Sequence, residues 1–322
     1  MIRKRWERDP SDLRNPVHEG VFPADDEVPR LVPGPGSVTW RYAGDARILA
    51  TAGYALILQV AHPTVAAGVR EHSNFAADPW GRLLRTLDYT TTMAYGGPDA
   101  ARAMGRRIRE MHKHINGRKP NGERYFALEP EAFAWVHATL VASIVIGSER
   151  FARPMAPADV ERFYAEWCGI GRLIGIAGEA LPDTWRGFGE YFDRVVDERL
   201  EGSDVVHEVL RALARPTPPP LPILASRAWP MIRLPIAKLG ALATIGLLPV
   251  RLRDRLGLRW GRRDELELRA LAAASRAATP LMPGLLRCFG RSYLRWRREA
   301  PGRADPRRAT QGVVRERHLY GH

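Results

Sequence analysis

Three of the nine histidines fall where an imidazole could either fill a core or bind a metal. Around residue 110, Met104, Ile108, Met111, His112 and Ile115 share one stripe at i, i+3, i+4, i+7 spacing, while Arg106, Arg107, Arg109, Glu110 and Lys113 take the other side. His112 is therefore expected to point inward. Phe133, Val136, His137, Leu140 and Val141 make a similar stripe, and His62 closes an apolar run just before Pro63. On pattern alone, the plainer reading of each is a core histidine held by one hydrogen bond. A second set lies at 82–89, where Arg82, Thr86 and Tyr89 line up at i, i+4 and i+7 with Arg85 beside them, apart from the apolar face of Trp80, Leu83, Leu84 and Leu87. If buried, a guanidinium and a hydroxyl together would bind an anion, a propionate or an oxygen species. The pattern itself favours solvent.

Other chemistries are poorly supported. Gly169-Ile-Gly171 is followed by Gly175, one residue too far for a dinucleotide fingerprint, and no Walker loop, GxSxG elbow, CxxC or HExxH occurs. His62, His72 and Glu71 have the composition of a two-histidine, one-carboxylate iron site, but closeness in sequence says little about a facial geometry. With only Cys168 and Cys288, a disulfide scaffold is excluded. The net charge of +13 is concentrated late, since residues 251–322 hold 18 arginines against 7 acidic residues. Only four of the 49 basic residues are lysine, and no helix-turn-helix, zinc finger or RNA-binding strand accompanies the charge, so no nucleic-acid partner is expected.

The elements that must position these residues read as helices. At 322 residues and 45% apolar content the chain is long and greasy enough for one large core. Residues 1–37, rich in Pro, Asp and Arg, read as an extended arm closed by Pro33-Gly-Pro-Gly36. Ala46–Ala61 is apolar on nearly all sides, the mark of a buried helix ended by Pro63, and further helices are predicted over 80–95, 99–116, 130–150, 158–168 and 184–210. No hairpin signal is evident. Five prolines between Pro216 and Pro222 form a stiff connector to Trp229–Val250 and to helices at 264–277 and 284–298. The expected organisation is an all-α domain over 38–298 with a C-terminal helical extension and a basic tail over 299–322. The charged N-terminus lacks an apolar h-region, and the most apolar stretch, Leu239–Val250, spans 12 residues, fewer than a bilayer needs. A cytoplasmic location is expected, with membrane-peripheral contact through 229–255, where Trp229, Met231 and Ile232 join that stretch to Arg251, Arg253 and Arg255.

Several separate motifs, in order, resemble the catalytic domain of the MpaB and rubber oxygenase (latex-clearing protein) family. They are Ala46-Arg-Ile-Leu-Ala through Gln59-Val-Ala-His-Pro63, Val65-Ala-Ala-Gly-Val69, His72-Ser73, Asp78-Pro79, Gly81-Arg-Leu-Leu-Arg-Thr86, Met111-His-Lys-His-Ile-Asn-Gly117 and Trp135-Val-His-Ala-Thr-Leu140. Gly246-Leu-Leu-Pro249 with Arg251 also fits, so the resemblance covers about residues 38–295. It implies an all-α, globin-like fold carrying heme b, whose rubber-cleaving members insert dioxygen across a carbon–carbon double bond. By this resemblance Arg82 and Thr86 match the distal arginine and threonine, and His112 matches the proximal histidine ligating iron, with a gap from Thr86 a few residues shorter than in rubber oxygenases. Arg85 stands where those enzymes have a lysine able to reach the iron; arginine does not ordinarily ligate iron. Glu71 is the nearest counterpart of the distal glutamate, which would take a substrate proton.

These implications lead to a heme-dependent oxygenase or oxidase with dioxygen and a small lipophilic molecule as its partners. Polymeric rubber is disfavoured by the absence of a signal peptide. The rival expectation is a non-catalytic heme or lipophile-binding protein using the same pocket.

Overall fold

A computed structural model describes residues 22–73, 78–218 and 229–299. The expected arm before residue 22, the proline connector over 219–222 and the basic tail after 299 lie outside the described residues. In chain order the helices begin with α1 (Val28–Leu31), α2 (Val38–Tyr42), α3 (Ala52–Val60), α4 (Pro63–His72) and α5 (Pro79–Tyr95). Next come α6 (Pro98–Lys113), α7 (Pro130–Phe151), α8 (Pro157–Leu173), α9 (Trp185–Glu198) and α10 (Asp204–Ala214). The last are α11 (Trp229–Leu247), α12 (Val250–Arg255), α13 (Arg262–Ala277), α14 (Gly284–Arg287) and α15 (Phe289–Glu299). The protein is an all-α, multi-helix domain, with one small antiparallel hairpin of β1 (Asn116–Arg118) and β2 (Arg124–Phe126).

The core is organised on α7, which is buried along most of its length because apolar and small residues surround its axis. Trp135 is wholly enclosed there, and its indole N–H donates to the Leu58 carbonyl of α3 at 2.9 Å. A 3-10 stretch, Ala46–Thr51, leads into α3 and packs on α7 where Gly147 leaves room for it. The apolar run does not continue past His62. Pro63 has no N–H and forces the preceding residue out of the helical region, so α3 and α4 meet at 103°.

Three differences from the sequence expectations have local causes. The segment expected to be one helix over 184–210 is two, because Ser203 turns out of the helix and its hydroxyl accepts from the Val206 N–H to cap α10. The helix expected to reach residue 116 stops at Lys113, where β1 begins a hairpin whose turn uses Gly122 at φ +86. Within 22–37, expected as extended, α1 forms a turn of helix whose Val28 is buried against α8. Two single helices, Pro130–Phe151 and Trp229–Leu247, are also long and apolar enough to cross a membrane, contrary to the sequence expectation; the first is mostly enclosed by protein and the second mostly is not.

Candidate active site

A cavity of about 320 Å³ lies among α3, α5, α7, α8, α10, α11 and α15. Its walls are mainly apolar, with Leu56 from α3, Leu83 and Leu87 from α5, Leu140 and Ile144 from α7, and Ile236 from α11. Phe289 and Gly290 of α15 close one side; the Gly290 N–H donates to the Gly44 carbonyl at 3.0 Å. A Cβ on Gly290 would lie 2.6 Å from the Tyr95 ring, so glycine sets this approach.

The polar lining comes chiefly from α5, which is fixed at its start by Asp78, whose carboxylate accepts from the Gly81 N–H at 2.8 Å. Arg82, Thr86 and Thr90 recur every four residues and all face the cavity. The expected solvent face is thus an inner face. Arg82 is half-buried: burial, aided by the like charge of Arg85, lowers its pKa to about 10, which leaves it cationic at neutral pH. Its guanidinium donates to the Ser73 hydroxyl at 3.3 Å, and no carboxylate of the described residues lies against it. The Thr86 hydroxyl donates to the Arg82 carbonyl at 3.1 Å and Thr90 donates to the Thr86 carbonyl at 2.9 Å. With their protons so committed, both threonines present lone pairs to the cavity, and Arg82 is the donor.

His112 is half-buried on α6, edge-on to Phe133 with ring centres 5.5 Å apart. Its Nδ1 lies 2.7 Å from the Ile108 carbonyl, an acceptor only, so Nδ1 carries the proton and the Nε2 lone pair is left for another partner. Burial lowers the His112 pKa, and the charge of Arg82 adds to that effect, so the ring is held neutral. His112 is not itself a wall of the cavity but lies within the field of the arginine that is. Its stripe differs from expectation. Met111 is exposed, and Arg109 takes an inward place beside Ala101, Gly105 and Ile108, with its guanidinium donating to the Gly175 carbonyl at 3.2 Å. A Cβ on Gly105 would lie 2.1 Å from the Leu173 carbonyl, which shows how closely α6 rides on α8.

The other two histidines are built differently. His137 donates from Nε2 to the Trp167 carbonyl at 2.8 Å, and the Tyr89 hydroxyl faces its Nδ1 at 3.4 Å, so neither nitrogen is spare. His62 is buried at the bend before α4, its Nε2 3.9 Å from a Glu131 oxygen that also pairs with Arg199 at 2.7 Å.

Glu71 is not brought to the cavity. Its carboxylate accepts from the Tyr125 hydroxyl of β2 at 2.8 Å and sits 3.9 Å from His72, beside the hairpin. Arg85 points outward and pairs with Asp78 at 3.5 Å. His62, His72 and Glu71 do not converge, and no cluster of three His, Cys, Asp or Glu suited to a metal occurs among the described residues. Two lining residues were not singled out as site residues by the sequence. Trp167 is fully buried with no partner for its indole N–H among the described residues, and Gln59 donates to the Thr139 hydroxyl at 2.9 Å. Periodicity marks both helices but not the side that meets a void.

Residues 40–277 match the family model described as "ER-bound oxygenase mpaB/B'/Rubber oxygenase, catalytic domain". No curated protein and no solved structure matches the chain. The matched span takes in α3 to α13, and with them every wall of the cavity except the parts of α15. A family-model match over this span of a 322-residue, all-α chain, with Arg82 and Thr86 of its quoted motifs meeting at one cavity, assigns the protein to the mpaB and rubber oxygenase catalytic-domain family, and so to oxidoreductases of the oxygenase type.

Proposed function

We propose that the protein is a heme-dependent oxygenase acting on a small lipophilic molecule. The observation that carries this reading is a half-buried Arg82 without a carboxylate partner among the described residues, facing an apolar cavity, together with a His112 whose Nε2 is left free. A buried guanidinium is costly unless an anion meets it, and a neutral imidazole with a free Nε2 is what a metal centre requires. These two side chains, with the family match, are what support heme b as the cofactor of this reading. His112 would hold the iron, oriented by its bond to the Ile108 carbonyl in the way that outer-shell bonds orient metal-bound histidines. Heme, when bound, would supply the chemistry that activates dioxygen, and the polarity of the pocket would tune it.

The remaining steps belong to side chains. Arg82 holds an anionic oxygen in place by charge-assisted hydrogen bonds, already oriented before the reaction starts. Thr86 and Thr90 accept hydrogen bonds from a substrate hydroxyl or from water, and Thr86 becomes a donor only if it gives up the Arg82 carbonyl. Leu83, Leu87, Leu140 and Ile144 align a lipophilic substrate by shape and exclude water. Glu71 and Arg85, as oriented here, take no part. The test is an optical spectrum of the purified, heme-supplied protein followed by dioxygen uptake with a polyene substrate and a search for carbonyl products. A Soret band with substrate-dependent uptake is expected. No Soret band overturns the heme assignment, and a Soret band without uptake makes the protein a carrier or sensor.

A further inference from the structure

Gln59, near the end of α3, is a polar residue on an otherwise apolar wall. Ala52, Ala55 and Leu56, at i−7, i−4 and i−3 from it, line the same cavity, so Gln59 continues their face of the helix. Leu140, Ser143 and Ile144 of α7 line it as well, and the bond from Gln59 to Thr139 ties the two helices together. Gln59 is only 9% exposed. A primary amide held in so dry a place needs partners for both of its ends.

Which end meets the cavity follows from the bond it makes. The Thr139 hydroxyl donates its one proton to the Val136 carbonyl at 2.7 Å, so toward Gln59, 2.9 Å away, it can only accept. The amide nitrogen therefore turns to Thr139, and the carbonyl oxygen Oε1 is left as an acceptor to which no described residue donates. The hydroxyls along the wall do not supply the missing proton. Thr51, Thr91 and Ser143 donate to the Ile48, Leu87 and Leu140 carbonyls at 2.6, 2.6 and 2.8 Å, as Thr86 and Thr90 do within α5. The proton that satisfies Gln59 has to come from the guest.

We propose that Gln59 sets the substrate class: the cavity takes a lipophilic alcohol, whose hydroxyl donates to Gln59 Oε1 while its chain packs on Ala55, Leu56, Leu140 and Ile144. A hydrocarbon in the same space removes Oε1 from water and returns no hydrogen bond, and a site built around one polar partner rejects the analogue that lacks it. An ether or a ketone fares no better. Arg82 and the Trp167 indole N–H are donors and meet any oxygen alike, whereas only a hydroxyl brings a proton to Gln59. This assignment rests on the proposed substrate cavity and not on the cofactor.

The test is titration calorimetry of the full-length protein, as purified, with n-octanol and its isomer heptyl methyl ether, which match in size and each carry one oxygen. Octanol should bind about tenfold more tightly than the ether, the scale of one buried hydrogen bond. Gln59→Leu should bring the two within about twofold of each other while leaving the ether affinity at or above its parent value. Gln59→Met, closer in shape, is measured alongside, and circular dichroism establishes that each variant is folded. Equal affinities in the parent protein overturn the assignment to Gln59 and leave the lipophilic cavity standing. So does a preference for octanol that persists in both variants, since another acceptor then reads the hydroxyl. Binding of neither compound overturns the lipophilic cavity itself, and the part of Gln59 with it.

Discussion

His112 and His137 differ in what their ring nitrogens have left to offer. His137 has both occupied, so His137→Ala should leave the Trp167 carbonyl and the Tyr89 hydroxyl without a partner and destabilise the fold by about 1–3 kcal/mol per orphaned group. His112→Ala should keep the fold and lose the Soret band; heme content and melting temperature measured together separate the two roles. Complete burial also lowers the pKa of His137 to about 4. Between that value and its ordinary 6.5 the unfolded chain binds the extra proton. Stability is therefore full above pH 6.5, falls as the pH drops toward 4, and levels off below, by roughly 3 kcal/mol at the limit. Urea midpoints over this range should show the loss in the parent protein and a smaller one in His137→Gln. Arg82 has the opposite relation between stability and function. Replacing a half-buried cation that has no carboxylate partner among the described residues by a flexible apolar side chain, Arg82→Met, should raise the melting temperature of the ligand-free protein while lowering turnover by a factor of about 10 to 1,000.

Among the elements, α6 is set by Gly105 and α5 by the C-terminal helix. Adding a methyl at Gly105 would drive a Cβ into the Leu173 carbonyl, so Gly105→Ala should push α6 off α8, lowering the melting temperature and, with His112 holding heme as proposed, the heme occupancy. Asp88, on a different face of α5 from Arg82, accepts from the Tyr293 hydroxyl at 2.7 Å and from two nitrogens of the Arg297 guanidinium. Asp88→Ala should cost about 1–3 kcal/mol by stranding both donors, measurable by chemical denaturation. The 3.6-residue period made α5 to α8 legible because each has a continuous apolar stripe. It missed the hairpin, whose strands are three residues long, and the break before Ser203, where a capping hydroxyl lies inside an otherwise continuous pattern. It also exchanged Met111 for Arg109, since a long arginine can enter the interior when a carbonyl waits for it. The inward sense of Arg82 and Thr86 was not legible either: two kinds of side chain share α5, and only the helices packed around it decide which side is dry.

At the scale of the whole molecule, the matched catalytic domain ends at residue 277 while the cavity wall extends to Gly290. A chain stopped after Ala278 keeps the family domain but uncovers the Asp88 face of α5 and the places of Tyr293 and Leu294, both buried in the complete protein. Loss of these two side chains' burial amounts to roughly 3–5 kcal/mol, so the truncated protein should melt about 10 °C lower and bind a hydrophobic dye, as scanning fluorimetry would show. The bond from Gly290 to the Gly44 carbonyl joins residues 246 apart in sequence. On a ribosome that delivers the N-terminal part first, the helices holding His112 and Arg82 exist long before α15 emerges. The last wall of the cavity therefore arrives after all the others, and the order of synthesis becomes an order of assembly: lining first, door last.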